Sequence, residues 1–181
     1  MKKKFNYPRV PYGMTVHNKL EIEAVVDTLK TSTQMGLKTK KFEKQVANIF
    51  NKKYGIAVNS GSSALFLAMK VFDLPKGSEV ITPTLTFATT VGCIVTNNLV
   101  PAFVDINLNS LCIDENKIEK MISKKTKAMC IPNLMGNFPN WEKIKKIAKK
   151  YKLLILEDSA DIIGAKYMNK NSGYYSDISI S

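Results

Sequence analysis

Leu153-Leu154-Ile155-Leu156-Glu157-Asp158-Ser159-Ala160-Asp161 is a short apolar run that ends abruptly in carboxylates. The run follows a segment of helical periodicity. An uninterrupted apolar stretch in that setting reads as a buried parallel strand. In open α/β sheets, ligands bind just beyond the carboxyl ends of such strands. Asp158 is therefore expected where a fixed negative charge faces a ligand rather than bulk water. An acidic loop after a strand is common, so the weight of this reading depends on the other segments.

Moving outward, Trp141, Ile144, Ala148 and Tyr151 form the helical stripe that precedes the run, and Asn140 stands where it can cap that helix. Strands are expected at Ala128–Ile131, Ala102–Val104, Glu79–Thr82 and Ile56–Val58. Helices are expected between them. One begins near Ser60 and carries Leu65, Ala68, Met69 and Phe72; another carries Phe87, Val91, Ile94 and Val95. A third, capped by Asp114, carries Ile118, Met121 and Ile122. Two further stripes lie upstream, Ile22/Val25/Val26/Leu29 and Phe42/Val46/Ile49/Phe50. This alternation predicts an α/β fold with three layers, a mostly parallel sheet flanked by helices. An N-terminal helical segment is expected over 1–35 and the α/β domain over 36–181. Tyr174–Ser181 reads as the start of a strand with no turn or closing helix after it, which suggests a piece of a longer protein.

Composition narrows the classes. At 181 residues and 45% hydrophobic, the chain has enough material for one sizeable core. No run is long enough to span a membrane, and no apolar signal core follows the basic Met1–Lys4. The net charge of +12 raises nucleic acid as a partner. Arg9 is the only arginine, however, and the lysines cluster on helix faces without interleaved aromatics. A solvated surface is the better reading. Cys93, Cys112 and Cys130 match no metal-ligand spacing and read as buried free thiols in a reducing compartment. His17, the lone histidine, reads as a capping or solvent residue.

Two further segments join Asp158. Asn59-Ser60-Gly61-Ser62-Ser63-Ala64-Leu65 lies between an extended stretch and a helix. Gly61 permits close backbone approach, Ser62 and Ser63 carry hydroxyls, and a helix start offers free N–H groups to an anion. Taken alone it is an ordinary Ser-capped helix. It is neither a Walker loop nor a dinucleotide fingerprint. Thr84-Leu85-Thr86-Phe87-Ala88-Thr89-Thr90 follows a strand and sets an aromatic, Phe87, at the same sheet edge. Alone, Phe87 is more often core; beside a flat ring it stacks. A phosphate cradle, an aromatic face and a strand-end carboxylate are together what a phosphorylated pyridinium cofactor needs.

The ordered set Pro11-Tyr12-Gly13, Phe42-Glu43, Ser60–Leu65, Thr86-Phe87-Ala88-Thr89, Pro101–Asp105 and Glu157-Asp158 resembles the DegT/StrS-type family of pyridoxal-phosphate sugar enzymes. The resemblance covers nearly the whole chain. It implies the N-terminal portion of such an enzyme, hence an incomplete large domain of fold type I. By the resemblance, Gly61, Ser62 and Ser63 bind the cofactor phosphate and Phe87 stacks on the pyridine ring. Asp158 holds the ring nitrogen, Asp161 lies near the ring's oxygen side, and Ser179 sits on the stretch leading to a further phosphate-binding serine. By the same resemblance the residue that links the cofactor would follow Ser181, which leaves the catalytic residue unknown. The cofactor implied is pyridoxal 5'-phosphate or pyridoxamine 5'-phosphate.

The implied activity is amino transfer to a nucleotide-linked keto-sugar, with glutamate as a donor, in a cytoplasmic homodimer serving surface polysaccharide or deoxysugar synthesis. Neither nucleic acid nor membrane is an implied partner. Asp161 stands where family aminotransferases usually have glutamine. Together with Gly136-Asn137, Thr89-Thr90-Val91 and Asn98–Pro101, it resembles the branch that performs sugar 3-dehydration, in which histidine replaces the linking lysine. A truncated, inactive chain is a further alternative.

Overall fold

The computed structural model describes residues 8, 9, 11, 13–34 and 36–181. Met1–Tyr7, with the basic start, and Tyr12 of the Pro11-Tyr12-Gly13 stretch lie outside the described residues. The chain divides into two units, Met1–Lys38 and Thr39–Ser181.

In the first unit, helix α1 spans Lys19–Thr31. Its cap is Asn18, not His17. The Asn18 side chain accepts from Leu20 N at 2.9 Å, and the Glu21 carboxylate accepts from Asn18 N at 2.8 Å. This reciprocal capping box holds the Glu21 carboxyl below its ordinary range. The predicted stripe Ile22, Val25, Val26 and Leu29 is helical, and all four side chains are exposed. Helix α2, Leu37–Ile49, begins in this unit and runs into the second.

The second unit is built on a five-stranded sheet. Helix α3 (Gly61–Val71) leads to strand β1 (Glu79–Pro83), then helix α4 (Ala88–Thr96) and strand β2 (Val100–Val104). A single turn, α5 (Ile118–Met121), precedes strand β3 (Thr126–Pro132). Helix α6 (Trp141–Tyr151) enters strand β4 (Leu154–Asp158). A two-stranded antiparallel ribbon, β5 (Lys166–Tyr167) and β6 (Lys170–Asn171), precedes strand β7 (Ile178–Ile180). The sheet order is β2-β1-β3-β4-β7, and every pairing in it is parallel.

Strand alternation divides the core. One face carries Val80, Ala128, Cys130, Leu156 and Ile180 under α3 and α4. The other carries Ile81, Met129, Ile131 and Ile155 against Trp141, Ile144 and Ile147 of α6. The sheet and its two helical layers are as the alternation predicts.

Two local expectations fail. Ile56–Val58 forms no strand. A strand needs a neighbour that exchanges backbone hydrogen bonds, and a cleft of about 630 Å³ lies between this segment and β7. The segment is tied to α2 instead: Ala57 N donates to Glu43 Oε1 at 2.9 Å, and a Cβ on Gly55 would stand 2.4 Å from the Glu43 carbonyl oxygen. Asp114 does not cap α5. Its carboxylate accepts from Asn116 N and Asn116 Nδ2, both at 3.0 Å, so it closes a local turn ahead of a helix too short to hold Ile122.

Candidate active site

The helices that follow strands run back along the sheet, so their N-termini return to its carboxyl edge. At the opposite edge, Gly77 N, just before β1, donates to Asn98 O, just after α4, at 2.9 Å. The N-terminus of α4 is therefore at the edge where β4 ends in Asp158.

At the start of α3, Ser60 is the cap, and its hydroxyl accepts from Ser63 N at 3.2 Å. Gly61 N and Ser62 N lie in the first turn, where helical N–H groups have no partner within the helix. A Cβ built on Gly61 meets no atom within 4 Å, so the space in front of it is open. The Ser62 side chain is exposed, whereas Ser63 is half-buried and receives its hydrogen bond from the Ser60 hydroxyl at 3.1 Å. These two backbone amides and the Ser62 hydroxyl are donors of the type that an anion at a helix start accepts from.

Phe87 is not core. It precedes the first turn of α4 as its capping residue and is 70% exposed, so its ring offers a free face. The buried stripe of α4 is Thr90, Cys93 and Ile94 rather than one that includes Phe87 and Val95.

Asp158 is 6% exposed at the end of β4. Its Oδ2 accepts from the Thr90 hydroxyl at 2.7 Å, and its Oδ1 from Ala160 N at 3.2 Å. Burial pushes its carboxyl above the ordinary range; the two hydrogen bonds oppose that shift and the nearby Asp161 adds to it. No cation among the described residues pairs with Asp158. Thr82 and Thr86, one at the end of β1 and one in the loop after it, hold buried hydroxyl oxygens with no partner among the described residues. A buried carboxylate with no cationic partner among the described residues suits a ligand bearing a protonated ring nitrogen.

Asp161 is exposed, and its Oδ2 accepts from Met135 N at 2.7 Å. It pins the turn Leu134–Gly136, in which Met135 and Gly136 both have positive φ.

Ser179 lines the same cleft as Ser60 and Gly61 but does not face Asp158. In the register it lies opposite Glu157, as Ile180 lies opposite Asp158, and so its side chain takes the other sheet face. There its hydroxyl is 2.8 Å from that of Ser176, which donates to Glu157 Oε2 at 3.0 Å.

Sequence reasoning missed three participants. Thr90 holds Asp158. Asn133 donates to Glu157 at 2.9 Å and accepts from Trp141 Nε1 at 2.9 Å. Lys52 donates to the carbonyls of Gly173 at 2.7 Å and Ser176 at 2.5 Å. Burial lowers the Lys52 ammonium from its ordinary range, against the pull of Glu157. A hydroxyl on the buried stripe Thr90/Cys93/Ile94 was the available signal, because a buried hydroxyl needs a partner. The three cysteines are buried and free, as expected.

A profile of the DegT/DnrJ/EryC1/StrS aminotransferase family matches residues 16–181. The chain belongs to that family. It is similar to SpsC, a spore coat polysaccharide biosynthesis protein of Bacillus subtilis, at 35% identity over 169 residues, 93% of this chain and 43% of that protein. It is also similar to the 3-oxo-glucose-6-phosphate:glutamate aminotransferase of the same bacterium, 33% identical over 94% of this chain and 39% of that one. Among solved structures, the GDP-4-keto-6-deoxy-D-mannose-3-dehydratase of Escherichia coli with bound hydrated PLP superposes with a TM-score of 0.84. That match is 32% identical and covers 90% of this chain and 43% of the dehydratase. The chain thus spans about two fifths of the length of the curated relatives it matches. The fold seen here is the one that the family resemblance implied.

Proposed function

We propose that residues 36–181 are the cofactor-binding part of a pyridoxal 5'-phosphate or pyridoxamine 5'-phosphate enzyme that transfers an amino group to a nucleotide-linked keto-sugar. The observation that carries this reading is Asp158: a buried carboxylate at a strand end, held by Thr90 and lacking a cationic partner among the described residues. Both the hydrated PLP in the Escherichia coli dehydratase and the glutamate named for the Bacillus subtilis aminotransferase support it.

When bound, the pyridine ring acts as an electron sink once its nitrogen is protonated. Asp158 accepts that N–H and keeps the proton on the ring. The amides of Gly61 and Ser62, with the Ser62 hydroxyl, bind the phosphate, while Ser63 completes the helix cap behind them. Phe87 stacks on one ring face and keeps water from it. Asp161, which holds Met135 N, would lie on the oxygen side of the ring. Ser179 acts indirectly, by ordering β7 through Ser176.

Sugar 3-dehydration is the second reading. Asp161, in place of the usual glutamine, favours it, and so does the likeness to the dehydratase. The apolar stripe of α1, exposed among the described residues, supports assembly as a homodimer. The buried free thiols support a reducing cytoplasmic setting. Among the described residues no helix is long and apolar enough to cross a membrane.

Titration of the purified chain with pyridoxamine phosphate tests the binding reading. Saturable binding, lost in a folded Asp158→Ala variant, is expected; no binding by the wild type sinks it. Incubating the complete gene product with a nucleotide-linked 4-keto-sugar and glutamate separates the two reactions, since one yields an amino sugar and the other a 3-deoxy sugar.

A further inference from the structure

Thr90 is the third residue of α4, and its hydroxyl bonds outside its own helix. Among the described residues Thr28, Thr31 and Thr96 each donate at 2.7 Å to the carbonyl four residues earlier. That bond is closed to Thr90, because four residues back lies Thr86, before the helix begins. The Thr90 hydroxyl instead spans to β4 and donates to Asp158 Oδ2 at 2.7 Å, with both residues buried.

The backbone of Thr90 is itself held. Its N–H donates to Phe87 O at 3.0 Å. Its carbonyl accepts from the Cys93 thiol at 3.2 Å and faces the Cys130 thiol at 3.9 Å. Among the described residues Asp158 is the one partner of the hydroxyl.

Resting on the cofactor reading above, we propose that Thr90 is a positioning residue: it fixes the Asp158 carboxylate, in its ionised form, in the orientation that receives the protonated ring nitrogen. A hydrogen bond to a charged acceptor is among the stronger ones, and losing it inside the core leaves the charge poorly solvated. The titratable groups around Asp158 give no other support for its charge. Asp161, from the turn after β4, opposes ionisation. Cys93 of α4 and Cys130 of β3 are buried thiols, and that of Cys130 is pushed well up by its hydrogen bond with Cys93 and by burial, so it stays neutral. Among the described residues, Thr90 and Ala160 N are the donors that stabilise the ionised form.

Thr90→Val keeps the shape and removes the donor; Thr90→Ser keeps the donor. In the apo chain, the Asp158 carboxyl is titrated by carboxyl-carbon NMR. In the loaded chain, ring-labelled pyridoxamine phosphate reports protonation through the shift of its ring nitrogen. Thr90→Val is expected to raise the Asp158 titration midpoint, move the ring nitrogen toward the unprotonated position and weaken binding about tenfold or more. Thr90→Ser should restore all three. If the valine variant does not fold, Thr90→Ala serves in its place. An unchanged Asp158 midpoint in the donor-less variant, or a folded serine variant that behaves like valine, overturns the proposal. A wild-type chain that binds no pyridoxamine phosphate sinks the cofactor reading instead, and the apo titration still decides whether Thr90 holds Asp158.

Discussion

Glu157 and Asp158 are neighbours in sequence and face opposite sides of the sheet. Asp158 meets Thr90 beneath α4, with few donors and no cation among the described residues. Glu157, 1% exposed, accepts from Asn133 Nδ2, the hydroxyls of Ser159, Ser172 and Ser176, and Gly173 N, at distances of 2.9–3.0 Å. One carboxylate is saturated within the chain and the other is left short of partners. The first therefore builds the fold and the second is available to a ligand.

Glu157→Gln tests the structural half. The amide would turn an N–H₂ toward groups that are themselves donors and strand several of them in the core. A loss of about 2–4 kcal/mol is expected, read as a lower urea midpoint. A midpoint equal to wild type would show that the network contributes little.

The glycines separate fold from site. Gly173 has φ +90°, and a Cβ there would stand 2.2 Å from Phe50 O. Gly173→Ala should cost more than about 2 kcal/mol or prevent folding. Gly61→Ala meets open space in a helical first turn and should hold or slightly raise stability, by no more than about 1 kcal/mol, while weakening phosphate binding. Thermal melts and pyridoxamine phosphate titrations of both variants check the contrast.

Phe87 contributes little to the core because it is mostly exposed. Phe87→Ala should leave the melting temperature within error of wild type. Loss of ring stacking, about 0.5–1.5 kcal/mol, should raise the Kd for pyridoxamine phosphate roughly 2- to 10-fold. A clear drop in melting temperature would return Phe87 to a packing role.

Asp158 yields a pH signature in the apo protein. Its folded carboxyl titrates above the ordinary 3.8. Below that ordinary value the folded and unfolded chains both hold the proton. As pH rises, the unfolded chain releases it first, so the folded state loses stability until pH passes the raised folded value. Asparagine does not titrate. Asp158→Asn should therefore gain stability over wild type across that window and keep the gain toward neutral pH, while binding the cofactor less tightly. Urea midpoints of both proteins from acid to neutral pH measure it. A gap that does not change with pH contradicts the assignment.

Much of this was legible in the chain itself. The apolar runs at 128–131 and 153–156 and the caps Ser60 and Asn140 were readable because strand and helix periodicity are local properties. Ile56–Val58 misled because pairing depends on what lies beside a segment, and here a cleft does. Which face Ser179 takes was not legible for a related reason: sequence proximity to a strand end says nothing of side-chain direction until the register is known.

Local order along the chain thus determined the alternating architecture, the family and the strand-end position of Asp158. Tertiary structure alone decided what surrounds that carboxylate. Thr90 reaches Asp158 across 68 residues, and Glu157 gathers donors from 2 to 24 residues away. Burial, partner count and register are properties of packed surfaces, and no single segment contains them. The stretch from Leu153 to Asp161 marks where a ligand would sit; the hydrogen bond from Thr90 of α4, with no cationic partner among the described residues, is what readies Asp158 to receive it.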